Sequence, residues 1–102
     1  MKVVIDTTAG NKALNNGRLP EIMQHISKTL KPEAEYYTSE NGQRSAFIFF
    51  DLKDPSDLPS ICEPLYMELN AKIEFFPAMN KEDLTKGLEK WAKTSQKELV
   101  HN

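Results

Sequence analysis

Residues 46–50 constrain this chain most, because Ala46-Phe47-Ile48-Phe49-Phe50 is apolar on both parities of an extended strand. Successive strand side chains face opposite sides of a sheet. A sheet with helices on one face and water on the other therefore alternates apolar with polar. This run does not alternate: Phe47 and Phe49 point one way, and Ala46, Ile48 and Phe50 point the other. Both faces need a cover. An aromatic side chain left in water forgoes roughly 1.5–3 kcal/mol relative to burial, and an exposed row of them invites aggregation.

The surrounding sequence reads as strands and helices in alternation. Residues 1–8 form a strand around the β-branched run Val3, Val4 and Ile5. Residues 9–18 carry Gly10, Asn11, Asn15, Asn16 and Gly17 and read as a loop, with a helical turn around Lys12 to Leu14. A first helix starts near Leu19-Pro20, with Leu19, Ile22, Met23, Ile26 and Leu30 along one stripe, and Pro32 ends it. Residues 33–39 form a second strand and residues 43–52 a third, joined at Glu40-Asn41-Gly42, where Asn-Gly tolerates positive φ. Asp54-Pro55-Ser56-Asp57 supplies helix-start chemistry for a second helix with Leu58, Ile61, Cys62, Leu65 and Leu69 on one face. Pro59 suits its first turn, whereas Pro64 removes an interior hydrogen bond and predicts a kink. Residues 71–77 form a fourth strand. Asn80 caps a third helix, with Glu82 and Asp83 in its first turn and Leu84, Gly87, Leu88 and Trp91 as its stripe; the tail after Lys97 is expected to fray.

The order is β-α-β-β-α-β-α. Its first six elements match the ferredoxin-like split βαβ unit, a four-stranded antiparallel sheet with two helices on one face. The expected fold is thus a single α+β domain over residues 1–102, ferredoxin-like βαββαβ with an extra C-terminal helix. A second copy packed on the open sheet face, giving a homodimer, is the preferred cover for the two-sided strand. Shielding by the third helix alone is the alternative.

Composition narrows the classes of partner. The chain has 102 residues, 39% hydrophobic and 27% charged, which is a globular balance. Its formal net charge of -2 provides no pull toward nucleic acid or anionic membrane. No stretch approaches the roughly 18 apolar residues of a membrane span. The N-terminal apolar run is too short for a signal peptide and Asp6 interrupts it. With one cysteine, Cys62, no internal disulfide can form, and a cytoplasmic location is expected.

The second half of the chain resembles the dimeric α/β-barrel superfamily, and within it a small bacterial family of unknown function. The resemblance rests on Phe50-Asp51, Leu58-Pro59, Glu63-Pro64, Asn70-Ala71-Lys72-Ile73-Glu74-Phe75, Pro77-Ala78-Met79 and Asp83-Leu84. It covers about half the chain; elsewhere only the element order matches. It implies ferredoxin-like chains whose two sheets pack face to face. The superfamily includes cofactor-free monooxygenases, muconolactone isomerases, haem-binding chlorite dismutases and small-molecule sensing domains, so fold alone selects no reaction.

The chemistry-bearing residues are few. The superfamily's haem enzymes place an axial histidine on a pocket helix; His25 lies off the first helix's stripe and His101 lies in the tail, so no haem or other cofactor is expected. Asp51, Asp54 and Asp57 read as a cap and a turn rather than a metal site, and no His-x-x-x-His, paired cysteines or calcium loop is present. Cys62 falls on an apolar stripe and reads as a buried, inert thiol. Segment 10–17 lacks the spacing and lysine of a phosphate loop. What remains is aromatic and acidic. Phe47, Ile48, Phe49, Phe50, Phe75 and Phe76 are candidates for a ligand pocket or dimer interface. Glu74, mid-strand between Ile73 and Phe75, and Tyr66 are the candidates for acid–base work. In a closed pocket desolvation turns a carboxylate into a usable base near neutral pH; the competing reading of Glu74 is an exposed or interface residue paired with Lys72, Arg44 or a charge on an adjacent strand. Three functions are compatible with this set: a dimer binding a small apolar or aromatic ligand between sheet and helices, a cofactor-free enzyme of the monooxygenase or isomerase kind, or an assembly module without a ligand.

Overall fold

A computed structural model describes the backbone of residues 1–101 and the side chains of residues 1–95. The elements run β1 (Lys2–Val4), α1 (Thr7–Asn15), α2 (Arg18–Leu30), β2 (Ala34–Glu40), β3 (Gln43–Phe49), α3 (Leu58–Leu69), β4 (Lys72–Glu74) and α4 (Lys81–His101), with a 3-10 turn at Pro55–Asp57 leading into α3. The protein is α+β. Its four strands form one sheet in the order β2-β3-β1-β4, and every neighbouring pair is antiparallel.

Local chemistry accounts for most boundaries. The β2–β3 hairpin turns through Asn41 and Gly42 at φ 52° and 76°, the left-handed pair that matches the twist of the strands. α2 enters from Gly17 at φ 77° and leaves through Lys31 at φ 46°. α3 continues through Pro64. At the start of α4 the Asn80 side chain accepts from the Asp83 amide at 2.8 Å and the Asp83 carboxylate accepts from the Asn80 amide at 3.2 Å, a reciprocal capping box. The expected fraying after Lys97 concerns residues whose side chains lie outside the described ones.

One segment differs from expectation. Residues 9–18, read as a loop, belong largely to helix α1 (Thr7–Asn15). Asp6 caps it, accepting from the Ala9 amide at 3.0 Å, and Gly10 and Ala13 bury one side of it. A Cβ at Gly10 would stand 2.9 Å from Arg44 Nη1 and 3.0 Å from Ile5 Cγ2; the flexible Arg44 end can swing aside, so Ile5 is the contact that favours glycine here. Poor intrinsic helix formers are held helical here by a cap and by tertiary contact. The first and fourth strands are correspondingly shorter than residues 1–8 and 71–77.

The core lies between one sheet face and helices α1–α3. Val3, Ile5, Ala46 and Ile48 from the sheet meet Ala13, Ile22, Ile26, Leu65 and Leu69 from the helices. Ile48, Leu65 and Leu69 are fully buried, and Phe50 packs at the margin of this cluster. The parity of β3 is thereby decided: Ala46, Ile48 and Phe50 face the helices, and Phe47 and Phe49 face away.

α4 behaves differently. At 1.5 Å per residue its 21 residues extend about 31 Å. Among the described residues no other element packs along it: Leu84, Leu88 and Trp91 are 46%, 55% and 66% exposed. The molecule measures 64 × 28 × 19 Å, with a radius of gyration of 18.6 Å, against about 13 Å for a compact chain of this length. The described side chains of α4 do not shield the open sheet face of their own chain.

Candidate functional site

The sheet face away from the helices is the candidate site, and its register shows how it is built. Tyr36 pairs with Phe47, Ala34 with Phe49 and Thr38 with Ser45; Lys2 pairs with Phe47 on one side and Glu74 on the other. Directly paired residues share a face, so all of these stand together. The face divides in two. On one half, the Lys2 ammonium reaches across β3 to the Glu40 carboxylate at 2.7 Å. That bridge crosses above Ser45, which is only 3% exposed and donates its hydroxyl to the Gln43 carbonyl at 3.1 Å. The hydrogen bond to Glu40 holds the Lys2 ammonium above its ordinary range.

The other half is aromatic. Tyr36 and Phe49 meet edge to face with centroids 6.4 Å apart, and Lys2 Nζ lies 6.0 Å over the Phe47 ring. Phe49, Phe75 and Phe76 are 44%, 41% and 59% exposed. Where β3 and β4 end and β1 begins, the face deepens into a groove of about 930 Å³, walled by Phe47, Phe49, Phe75 and Phe76 and closed at one side by Met79 and the capping box of α4. Lys2, Glu33 and Asp51 supply charge at its margin. A second depression of about 700 Å³, along the outer side of α2 beside His25, is shallow surface.

All six aromatic and aliphatic candidates border this groove, Phe47, Phe49, Phe75 and Phe76 as its walls and Ile48 and Phe50 from the helix-facing parity of β3. Its location differs from the expected one: the space between sheet and helices is filled by Ile26, Ile48, Leu65 and Leu69, and the groove opens on the other side. The acid–base candidates are not brought together. Glu74 is exposed on the groove side, whereas Tyr66, 43% exposed, sits on α3 across the sheet. Arg44 bonds Asn11 Oδ1 at 2.9 Å and does not partner Glu74. Cys62 is buried, and burial pushes its thiol up, followed by the nearby Glu63 carboxylate, so the unreactive form is favoured. Among the described residues no group of three His, Cys, Asp or Glu side chains could hold a metal ion, and no helix is long and apolar enough to cross a membrane.

Sequence reasoning missed the Lys2–Glu40 bridge. Its signal was indirect: two opposite charges, each on the open parity of its strand, become neighbours only once the order β2-β3-β1 is known.

Comparison with protein families, curated proteins and solved structures returned no match to this chain.

Proposed function

We propose that this protein works as a homodimer of ferredoxin-like subunits that holds a small apolar or aromatic molecule in the groove between two open sheet faces. The strand order supports the ferredoxin-like reading. β1 and β2 are connected through α1 and α2 with β3 inserted between them, and β3 and β4 are connected through α3 with β1 between them; this is the pattern of two interlocked split βαβ units. The dimeric α/β-barrel resemblance implies the same arrangement.

One observation carries the functional part: a groove of about 930 Å³ walled by phenylalanines on a face that the chain itself leaves open. Small-molecule sites span roughly 300–1,000 Å³ and combine apolar walls with a few polar groups. Here Lys2, Glu33, Asp51, Asn80 and Asp83 are the polar groups beside the aromatic walls, which suits a ligand with an apolar body and a polar end. A second copy laid on this face closes the groove.

Native mass spectrometry of freshly purified protein tests both parts at once. The expected species has about twice the 11.6 kDa chain mass and carries extra mass from a retained small molecule. A bare dimer removes the ligand and leaves an assembly module. A monomer at micromolar concentration overturns the dimer.

A further inference from the structure

We propose that α4 is an exchange arm: the Leu84, Leu88 and Trp91 stripe of one copy seats on the aromatic sheet face of a second copy. This rests on the homodimer reading above and names the element that makes the dimer.

The chain carries two apolar surfaces that it does not bring together. One is the sheet face of Tyr36, Phe47, Phe49 and Phe76; the other is the stripe of α4. At 100° per residue, Leu84, Leu88 and Trp91 fall within a narrow arc, with Gly87 and Ala92 beside them. These small neighbours let a helix approach a sheet closely, and nothing lies within 4 Å of the site a Cβ would take at Gly87. Glu82, Lys86, Glu89 and Lys93 fall on the opposite side, at the i, i+4 spacing that pairs acid with base along a solvated helix. α4 is thus built with one dry side and one wet side, yet both are in water here.

Surface area fits a second copy as the occupant. The chain exposes 7735 Å². A compact monomer of its mass exposes about 5,800 Å², so the excess is roughly 1,900 Å² per copy. Two copies that each bury such an excess hide roughly 3,800 Å², within the range of obligate homodimers. Symmetry suits this: in an isologous pair each arm lies across the partner's sheet face as a wall that closes the groove rather than as its occupant, and no apolar surface is left to recruit a third chain. The start of α4 borders its own groove through Met79, Asn80 and Asp83, and the helix then leads away from it, which carries the stripe toward a neighbour.

Trp91 is the only tryptophan, so its emission reports α4 directly. The test follows Trp91 fluorescence and light-scattering mass over a dilution series for the full chain, Leu88→Glu and Phe49→Asp. Leu88 is 55% exposed and lies outside the core cluster, so Leu88→Glu keeps the far-ultraviolet circular dichroism of the sheet and α1–α3. Exchange requires a dimer with blue-shifted Trp91 that moves to the red as the mass halves. It also requires both variants to raise the dimer dissociation constant by about 30-fold or more, as for a central interface residue. A full-length dimer with water-exposed Trp91 that Leu88→Glu leaves intact overturns the exchange and keeps the homodimer. A monomer with blue-shifted, dilution-independent Trp91 means that α4 folds back on its own chain and overturns both, as does a monomer with exposed Trp91.

Discussion

Ile48 and Phe49 are adjacent on β3 but belong to opposite sides of the sheet, and aspartate substitutions at the two positions should fail in different ways. Ile48 has no exposure and sits among Ile26, Leu65 and Leu69. Ile48→Asp loses the burial of an aliphatic side chain, about 1.5–3 kcal/mol, and places an unpaired carboxylate in the core, which costs several kcal/mol more even after relaxation. Against a total stability of about 5–15 kcal/mol for a small domain, this variant should be largely unfolded. Phe49 is already 44% exposed. Phe49→Asp loses about half of an aromatic burial, about 1 kcal/mol, plus the edge contact with Tyr36, about 0.5–1.5 kcal/mol. It should remain folded and lose self-association instead. Urea denaturation followed by circular dichroism, run beside light-scattering mass, separates the two. Equal destabilisation at the two positions, or a natively folded Ile48→Asp, would refute the assigned parity of β3.

Asp6→Ala should lower stability by about 1 kcal/mol through loss of the cap on α1, with the amide of Ala9 exchanging faster with solvent in hydrogen-exchange NMR. Gly42→Ala, at φ 76°, should cost about 1–2 kcal/mol because a Cβ is disfavoured in the left-handed region, read as a lower urea midpoint at unchanged slope. The Glu68 carboxyl, hydrogen-bonded by Arg18 at 2.7 and 3.0 Å, is held below its ordinary value of 4.5. A depressed folded-state value contributes stability that is complete above pH 4.5 and disappears as the pH falls through the lower folded-state value. Arg18→Gln should return the Glu68 midpoint to the ordinary range in a carbon-13 NMR titration and flatten that part of the acid limb.

What the sequence determined by itself was the set of elements whose signals are local. The stripe of α2 put Ile22 and Ile26 in the core, the stripe of α3 did the same for Ile61, Leu65 and Leu69, and Asn41-Gly42 placed the hairpin. Each signal works within one helical turn or one reverse turn, so no distant residue has to be known. The two-sided apolar run of β3 was equally legible, together with its consequence that both sheet faces need a cover. Tertiary structure decided the rest. Helix α1 carries Gly10, Asn11 and Asn15 and forms because Asp6 caps it and Ala13 is buried in the core. Which parity of β3 meets the helices follows from strand order and from where α2 and α3 return, and apolar side chains of similar size on both parities leave the pattern symmetric. The groove, the Lys2–Glu40 bridge and the unpartnered α4 are likewise products of position. Each joins residues far apart in the chain, or separates them, and hydrophobic pattern records which sides of an element must be covered without recording by what.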